Sequence, residues 1–224
     1  MRVLLAGAFG NLGSDILRAL CQTEHEIIAA DAVIRSLENI DETRFETRTI
    51  DVTNTESLKG ICDNVDVVIT TVGLTKASSK VNNYDIDYQG NLNLLHEAEK
   101  AGVQHFAYIS VINADQGKGV PMVHSKFLME QELKKSSVNY VIYRPTGYFY
   151  DIAKVFMPMV EKGEVQLLRM KNFPSCNVVD TADFAGFIVE TMCDTNKTYN
   201  VGGKETYTYP QIARMFFQAN HVNG

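Results

Sequence analysis

One stretch near the amino terminus constrains this chain more than any other. The apolar run Val3-Leu4-Leu5-Ala6 passes straight into Gly7-Ala8-Phe9-Gly10-Asn11-Leu12-Gly13, and the helix that follows carries Leu12, Ile16, Leu17 and Leu20 on one face. Glycines suit such a strand-to-helix turn because the backbone must turn tightly, approach a pyrophosphate closely and let the helix pack hard on the strand, while free N–H groups at the helix start favour an anion. A Cβ at Gly10 or Gly13 is therefore expected to block the phosphate rather than disturb the core. Glycine spacing alone also fits any tight turn, so the neighbouring sequence has to decide. A second strand, Glu26-Ile27-Ile28-Ala29-Ala30, ends in Asp31. That is the distance at which a dinucleotide site places the acid that binds the adenosine ribose hydroxyls.

Strand-like runs recur at 48–50, 66–70, 105–110 and 140–144, alternating with helical patterns. The alternation predicts an α/β fold with a doubly wound parallel sheet. Helices are expected over Asn91 to Lys100, with Leu92, Leu95 and Ala98 as its stripe, and over Val123 to Lys135, with Val123, Phe127, Leu128 and Leu133 inward. The glycine turn, Asp31, Asp51, Thr71-Val72-Gly73 and Ser110 all fall at carboxyl ends of predicted strands, the edge where such a sheet binds ligands. Asp51 has a second reading as a helix cap, and Gly73 as a strand terminator. Val111 to Pro121, with no hydrophobic period, is either a flap over the site or an ordinary exposed loop.

Beyond Arg144-Pro145 the pattern loosens into Thr146-Gly147-Tyr148-Phe149-Tyr150 and Phe156-Met157-Pro158-Met159, which reads as a substrate side. A capped helix is expected from Asp180 to Met192, a short strand over Tyr199 to Gly202 and a last helix from Tyr209 to Ala219. The expectation is one domain over 1–224, with 146–224 forming the substrate side.

A net charge of −6 and the lack of a Lys/Arg run argue against nucleic acid and anionic membrane surfaces as partners. Four scattered cysteines without metal-ligand spacing predict reduced thiols and no metal site, and a core strand at the amino terminus predicts a cytoplasmic protein.

Taken in order, Gly7 to Gly13, Ile50-Asp51-Val52, Asp66-Val67-Val68-Ile69-Thr70, Asp87-Tyr88-Gln89-Gly90-Asn91-Leu92, Ala101 to Ser110, Arg144-Pro145-Thr146-Gly147 and Tyr199-Asn200-Val201-Gly202-Gly203 resemble the short-chain dehydrogenase/reductase superfamily. The likeness is to its atypical NmrA-like branch, which is also similar to nucleoside-diphosphate-sugar epimerases. The resemblance covers nearly the whole chain and implies a Rossmann fold binding NAD(P). It implies cofactor contacts from Gly7, Phe9, Gly10, Asn11, Leu12, Gly13, Asp31, Asp51, Val52, Thr71, Val72 and Gly73. Arg144 to Gly147, Pro145 and Gly147 among them, would line the nicotinamide end.

Standard members of that superfamily carry a Tyr followed four residues later by a Lys, which holds the nicotinamide ribose and lowers the Tyr pKa for proton exchange with the substrate. Lys126 matches the Lys, but Met122 stands in the Tyr position, and a thioether transfers no proton. Ser110 remains as a candidate hydrogen-bond donor; His124 is the nearest candidate substitute, with a second reading as an exposed helix-start histidine, and Tyr148 and Tyr150 are the alternatives, with a second reading as pocket wall or core. The leading expectation is an oxidoreductase moving a hydride to or from a small organic substrate, with NAD(H) favoured through Asp31 and NADP(H) the alternative through Arg35. The alternatives are a dinucleotide sensor acting through a protein partner and, more remotely, a sugar-nucleotide epimerase or dehydratase.

Overall fold

Val3, Leu4 and Leu5 are fully buried in strand β1 (Arg2–Ala6). Side chains alternate along a strand, so Val3 and Leu5 enter one apolar layer and Leu4 and Ala6 the other. An unbroken apolar run is what a parallel strand covered on both faces requires. The computed structural model describes residues 1–74, 81–167, 171–173 and 175–220. On one face of the sheet lie α1 (Asn11–Cys21) and α6 (Thr181–Thr191), which bury Ile16, Leu17, Leu20, Phe184 and Ile188. The other face is covered by α3 (Asn91–Ala101) and α4 (Pro121–Lys135), with Leu94, Leu95, Met129 and Leu133 inward.

Among the described residues the sheet has seven strands. From one edge they are β3 (Glu46–Thr49), β2 (Glu26–Asp31), β1, β4 (Val67–Thr70), β5 (His105–Ile109), β6 (Asn139–Pro145) and β8 (Lys197–Val201), and every pairing is parallel. The chain runs outward from β1 to β3 and then crosses back to β4, so the order reverses between β1 and β4. Their carboxyl ends flank the crevice such sheets use for ligands. This is the doubly wound Rossmann-type α/β fold expected from the sequence. Beside it, β7 (Ser175–Cys176) pairs antiparallel with β9 (Tyr207–Thr208), and α5 (Phe149–Val160) packs on α7 (Tyr209–Ala219) through Phe156, Ile212 and Ala213. A short helix, α2 (Thr55–Leu58), follows β3.

Several elements differ from their sequence reading. α4 buries Ser125, Met129, Glu130 and Leu133, whereas Val123, Phe127 and Leu128 are only half-buried. The helix is rotated because the ends of β5 and β6 offer polar partners to Glu130, a gain that apolar periodicity cannot register. α3 buries Asn91 and Leu94 along with Leu95 and Ala98, leaving Leu92 half-buried. α5 is a full helix in a stretch to which the sequence reading assigned no element, and a π-helical segment, Tyr84–Gly90, leads into α3. β8 begins at Lys197, two residues before the expected start. The Val111 to Pro121 segment is tied to the body, with Ile112 N–H donating to Pro145 O at 3.0 Å and Ala114 fully buried in a short 3-10 turn.

Candidate functional site

The glycine turn is stitched to the end of β2. Gly7 N–H and Ala8 N–H both donate to Ala30 O, at 2.8 and 3.1 Å, and Phe9 N–H donates to Asp31 Oδ2 at 2.9 Å. Asp31 Oδ1 accepts from Ala32 N–H at 2.7 Å, so this half-buried carboxylate is fixed at the edge with acceptor capacity left over. Gly7 has φ +80°, and a Cβ there would lie 2.5 Å from Thr71 Oγ1. Thr71 Oγ1 in turn donates to Gly7 O at 2.9 Å, bracing the turn from β4.

The three glycines do different work. A Cβ on Gly13 would lie 1.9 Å from Gly7 O, so Gly13 is what lets α1 sit against the turn; this corrects the expectation that its substitution would spare the fold. At Gly10 the nearest atom to an added Cβ is Gly7 O, at 3.4 Å. The space in front of Gly10 is open. No side chain caps α1, and Ser14 N–H to Gly10 O is its first backbone bond, so the N–H groups of Asn11, Leu12 and Gly13 point outward at the carboxyl edge of the sheet. Phe9 and Leu12 bury their side chains in the core and offer the site only backbone, whereas Asn11 is exposed. An uncapped helix start, an open glycine and a fixed acid one strand away fit a nicotinamide dinucleotide with its pyrophosphate over α1.

Asp51 is exposed and accepts from Thr53 N–H at 2.9 Å and Thr53 Oγ1 at 2.7 Å; the cap of α2 is Asn54 instead. Val52 is buried, and Gly90 is glycine because a Cβ would stand 2.6 Å from Val52 Cγ2. Val72 is held at both ends: its N–H donates to Thr70 Oγ1 and its carbonyl accepts from Asn91 Nδ2 at 3.1 Å. Pro145 closes β6, and Gly147, at φ +144°, accepts from Val179 N–H at 3.0 Å.

Lys126 and Ser110 are both engaged by buried acids. Lys126 Nζ lies 3.2 Å from Asp87 Oδ1, donates to Ile109 O at 3.0 Å and sits 5.5 Å from the centre of the Tyr108 ring. Ser110 Oγ donates to Glu130 Oε1 at 2.5 Å, and Arg144 grips the same carboxylate through Nε at 2.9 Å and a terminal nitrogen at 2.5 Å. Glu130 is fully buried, and its hydrogen bonds raise the pKa of Arg144 further. Arg144 is thereby a structural cation, with its other terminal nitrogen 3.8 Å from Asp115.

His124 Nδ1 is 3.0 Å from the Tyr84 hydroxyl, and the two rings meet edge to face. Tyr148 stacks on Phe184, and burial, followed by the Asp151 carboxylate, raises its phenol pKa, which makes it a poor donor at neutral pH. Tyr150 stands beneath Lys154, whose Nζ is 5.0 Å from the ring centre.

Glu130 and Tyr84 escaped the sequence reading, and Asp87 and Asn91, quoted there for the resemblance, were given no role in the site. Two signals were available. Asn83, Asp87 and Asn91 recur every four residues, as do Met122, Lys126 and Glu130, each a polar or mixed stripe along one face of a helical run. Among the described residues no cluster of His, Cys, Asp or Glu is arranged to hold a metal ion. No helix among them is long and apolar enough to cross a membrane.

A family model described as NAD(P)H-binding matches residues 7–194. Photosystem II assembly factor Ycf39 of Synechocystis is 27% identical over 220 residues, 96% of this chain and 66% of that protein. The chain thus spans just under two thirds of that relative's length. Among solved structures, UDP-glucose 4-epimerase of Thermus thermophilus with NAD superposes with a TM-score of 0.82 at 18% identity, covering 100% of this chain and 84% of that one. An NADPH-dependent quinone oxidoreductase of Escherichia coli with NADPH gives 0.81 at 18% identity, over 99% and 76%. At such identities the likeness to the solved structures is one of fold.

Proposed function

Since the chain belongs to the NAD(P)H-binding family, we propose that it binds a nicotinamide dinucleotide along the carboxyl edge of its sheet and passes the bound state on to a protein partner, without turning over a carbonyl substrate. The pyrophosphate lies over the N–H groups of Asn11 to Gly13, the adenosine ribose on Asp31, the adenine beside Asp51 and Val52, and the nicotinamide ribose near Lys126. Thr71, Val72 and Gly73 flank it, with Pro145 and Gly147 beyond the nicotinamide. When bound, the dinucleotide supplies a hydride-bearing carbon. The chain's own residues supply binding and orientation.

One observation carries the absence of turnover: Met122 occupies the proton donor's position while Ser110 is committed to Glu130 and Lys126 to Asp87. A carbonyl that accepts a hydride needs a proton at its oxygen, and none of these three is placed as the phenol of the standard pair would be to deliver one. The assembly role in the name of the Synechocystis relative is in keeping with a protein that acts through partners.

A second reading, reductase chemistry on a small organic molecule, is favoured by the Tyr84–His124 pair, a phenol bonded to an imidazole two residues before Lys126. Calorimetric titration with NADH and NADPH, followed by a carbonyl panel with consumption of each cofactor monitored separately, tests both readings. Tight binding without consumption is the expected result; steady consumption abolished by Tyr84→Phe would establish the second reading in its place.

A further inference from the structure

The dinucleotide reading gives Lys126 a ribose to hold, and the structure bears on what holds Lys126. Asp87 is the key. Its side chain is 1% exposed, and a carboxylate so deeply buried is costly unless each oxygen is compensated. Oδ2 is satisfied by Leu74 N–H at 3.1 Å and Asn83 Nδ2 at 3.0 Å. Among the described residues Oδ1 accepts no hydrogen bond, and it faces the Lys126 ammonium at 3.2 Å.

The pair sits in a notch that exists because residue 73 is glycine. A Cβ there would lie 2.8 Å from Asp87 Oδ1 and 3.3 Å from Lys126 Nζ. Asn91 holds the floor, bonding Val72 O, Ile86 O and Asp87 O through Nδ2 and accepting from Thr70 Oγ1 at 2.7 Å. The glycine thus answers to the ion pair.

An ammonium has three N–H groups. Ile109 O accepts from one of them at 3.0 Å, Asp87 Oδ1 stands 3.2 Å from the nitrogen as its charge partner without completing a hydrogen bond, and the side chain remains 13% exposed at the carboxyl ends of β4 and β5. Asp31 marks the adenosine half on β2, so this position lies across the switch point, on the nicotinamide half. The buried carboxylate already neutralises the ammonium. It is therefore suited to donate to neutral hydroxyls and poorly suited to recruit a phosphate.

We infer that Asp87 is a positioning residue for the nicotinamide ribose: through its ion pair with Lys126, seated in the notch left by Gly73, it aims an ammonium N–H not taken by Ile109 at the ribose diol. The assignment rests on the dinucleotide reading, and ADP, which lacks that ribose, separates the two. Calorimetry on the full chain with NADH and with ADP is the experiment. Asp87→Asn should weaken NADH by about 10-fold, the loss of a charge-assisted hydrogen bond, and leave ADP within about twofold. In a Lys126→Met background, Asp87→Asn should have no further effect on NADH, because the acid acts through the lysine.

If Asp87→Asn does not fold, Gly73→Ala displaces the pair with both charges kept and should give the same selective loss. Equal losses of NADH and ADP, or additive losses from Asp87→Asn and Lys126→Met, would overturn the assignment and leave Asp87 a support of the fold. Binding of neither NADH nor ADP by the wild-type chain would overturn the dinucleotide reading and this inference with it.

Discussion

Gly10 and Gly13 stand three residues apart in one turn, yet a methyl group would do different things to them. At Gly13 it meets the Gly7 carbonyl at 1.9 Å, so Gly13→Ala must push α1 off the turn. Overpacking of that kind costs about 1–3 kcal/mol or more and should lower Tm by several degrees. Gly10→Ala meets nothing closer than 3.4 Å, and should keep Tm within about a degree while weakening the dinucleotide, since its Cβ projects into the open space before the helix start. Thermal unfolding beside calorimetry separates the two; an unchanged affinity in folded Gly10→Ala removes the phosphate from this turn. Asp31 carries a second prediction at this scale. Held by Phe9 N–H and Ala32 N–H, its carboxylate cannot swing away from a 2′-phosphate, so NADH should bind at least about 10-fold tighter than NADPH, and Asp31→Asn should narrow that ratio. Equal or tighter NADPH binding would make exposed Arg35 the selector.

α4 presents Met122, Lys126 and Glu130 at four-residue spacing, which makes the helix a test of whether the site is one residue short of a reductase or built for something else. Met122→Tyr restores a phenol to the donor position. With Ser110 held by Glu130 and Lys126 by Asp87, the substitution alone should produce no measurable consumption of NADH or NADPH over a carbonyl panel. A rise on the order of 10²-fold or more would show that the acid/base machinery lacked only its donor, and would favour the reductase reading. The same helix shows where sequence reasoning stops. Its existence and approximate bounds were legible from period and punctuation, but its rotation was not, because Glu130 is drawn inward by Ser110, just past β5, and by Arg144 on β6. α5 was hidden for a different reason: Pro158 and the aromatic and Met content obscure a spacing that places Phe156 and Val160 inward. The glycine turn and Asp31 were readable because their partners lie within one βαβ unit. Asp87 was not, since its meaning depends on Lys126, Gly73 and Leu74 meeting at the end of β4.

At the scale of the molecule, strand alternation and apolar runs were enough to fix the sheet, because burying both faces of a parallel sheet leaves few other arrangements for such runs. The buried hydroxyls and thiols set within those layers were not legible as such, and they make the fold's stability depend on alkaline pH. Cys62 is fully buried, and desolvation, with Glu97 and Asp63 adding to it, pushes its thiol from an ordinary 9.0 up to about 12. Burial also raises Tyr108, Tyr143 and Tyr148 above their ordinary 10.0. For a group whose folded pKa is raised, the folded state holds the proton more tightly; its contribution to stability is fully present below the unfolded value and is lost as pH climbs from there to the folded one. Cys62 should therefore cost stability at about 1.4 kcal/mol per pH unit above pH 9, with the tyrosines steepening the decline above pH 10. Tm followed from pH 7 to 11 should be insensitive to these groups up to pH 9 and fall beyond it, and Cys62→Ala should flatten the part between pH 9 and 10. Phenolate absorbance supplies the independent check: the fully buried Tyr108 and Tyr143 should ionise only together with unfolding. Their ionisation in a chain that keeps its helical circular dichroism, or a Tm unmoved up to pH 11, would mean that the two apolar layers do not exclude water as this fold requires.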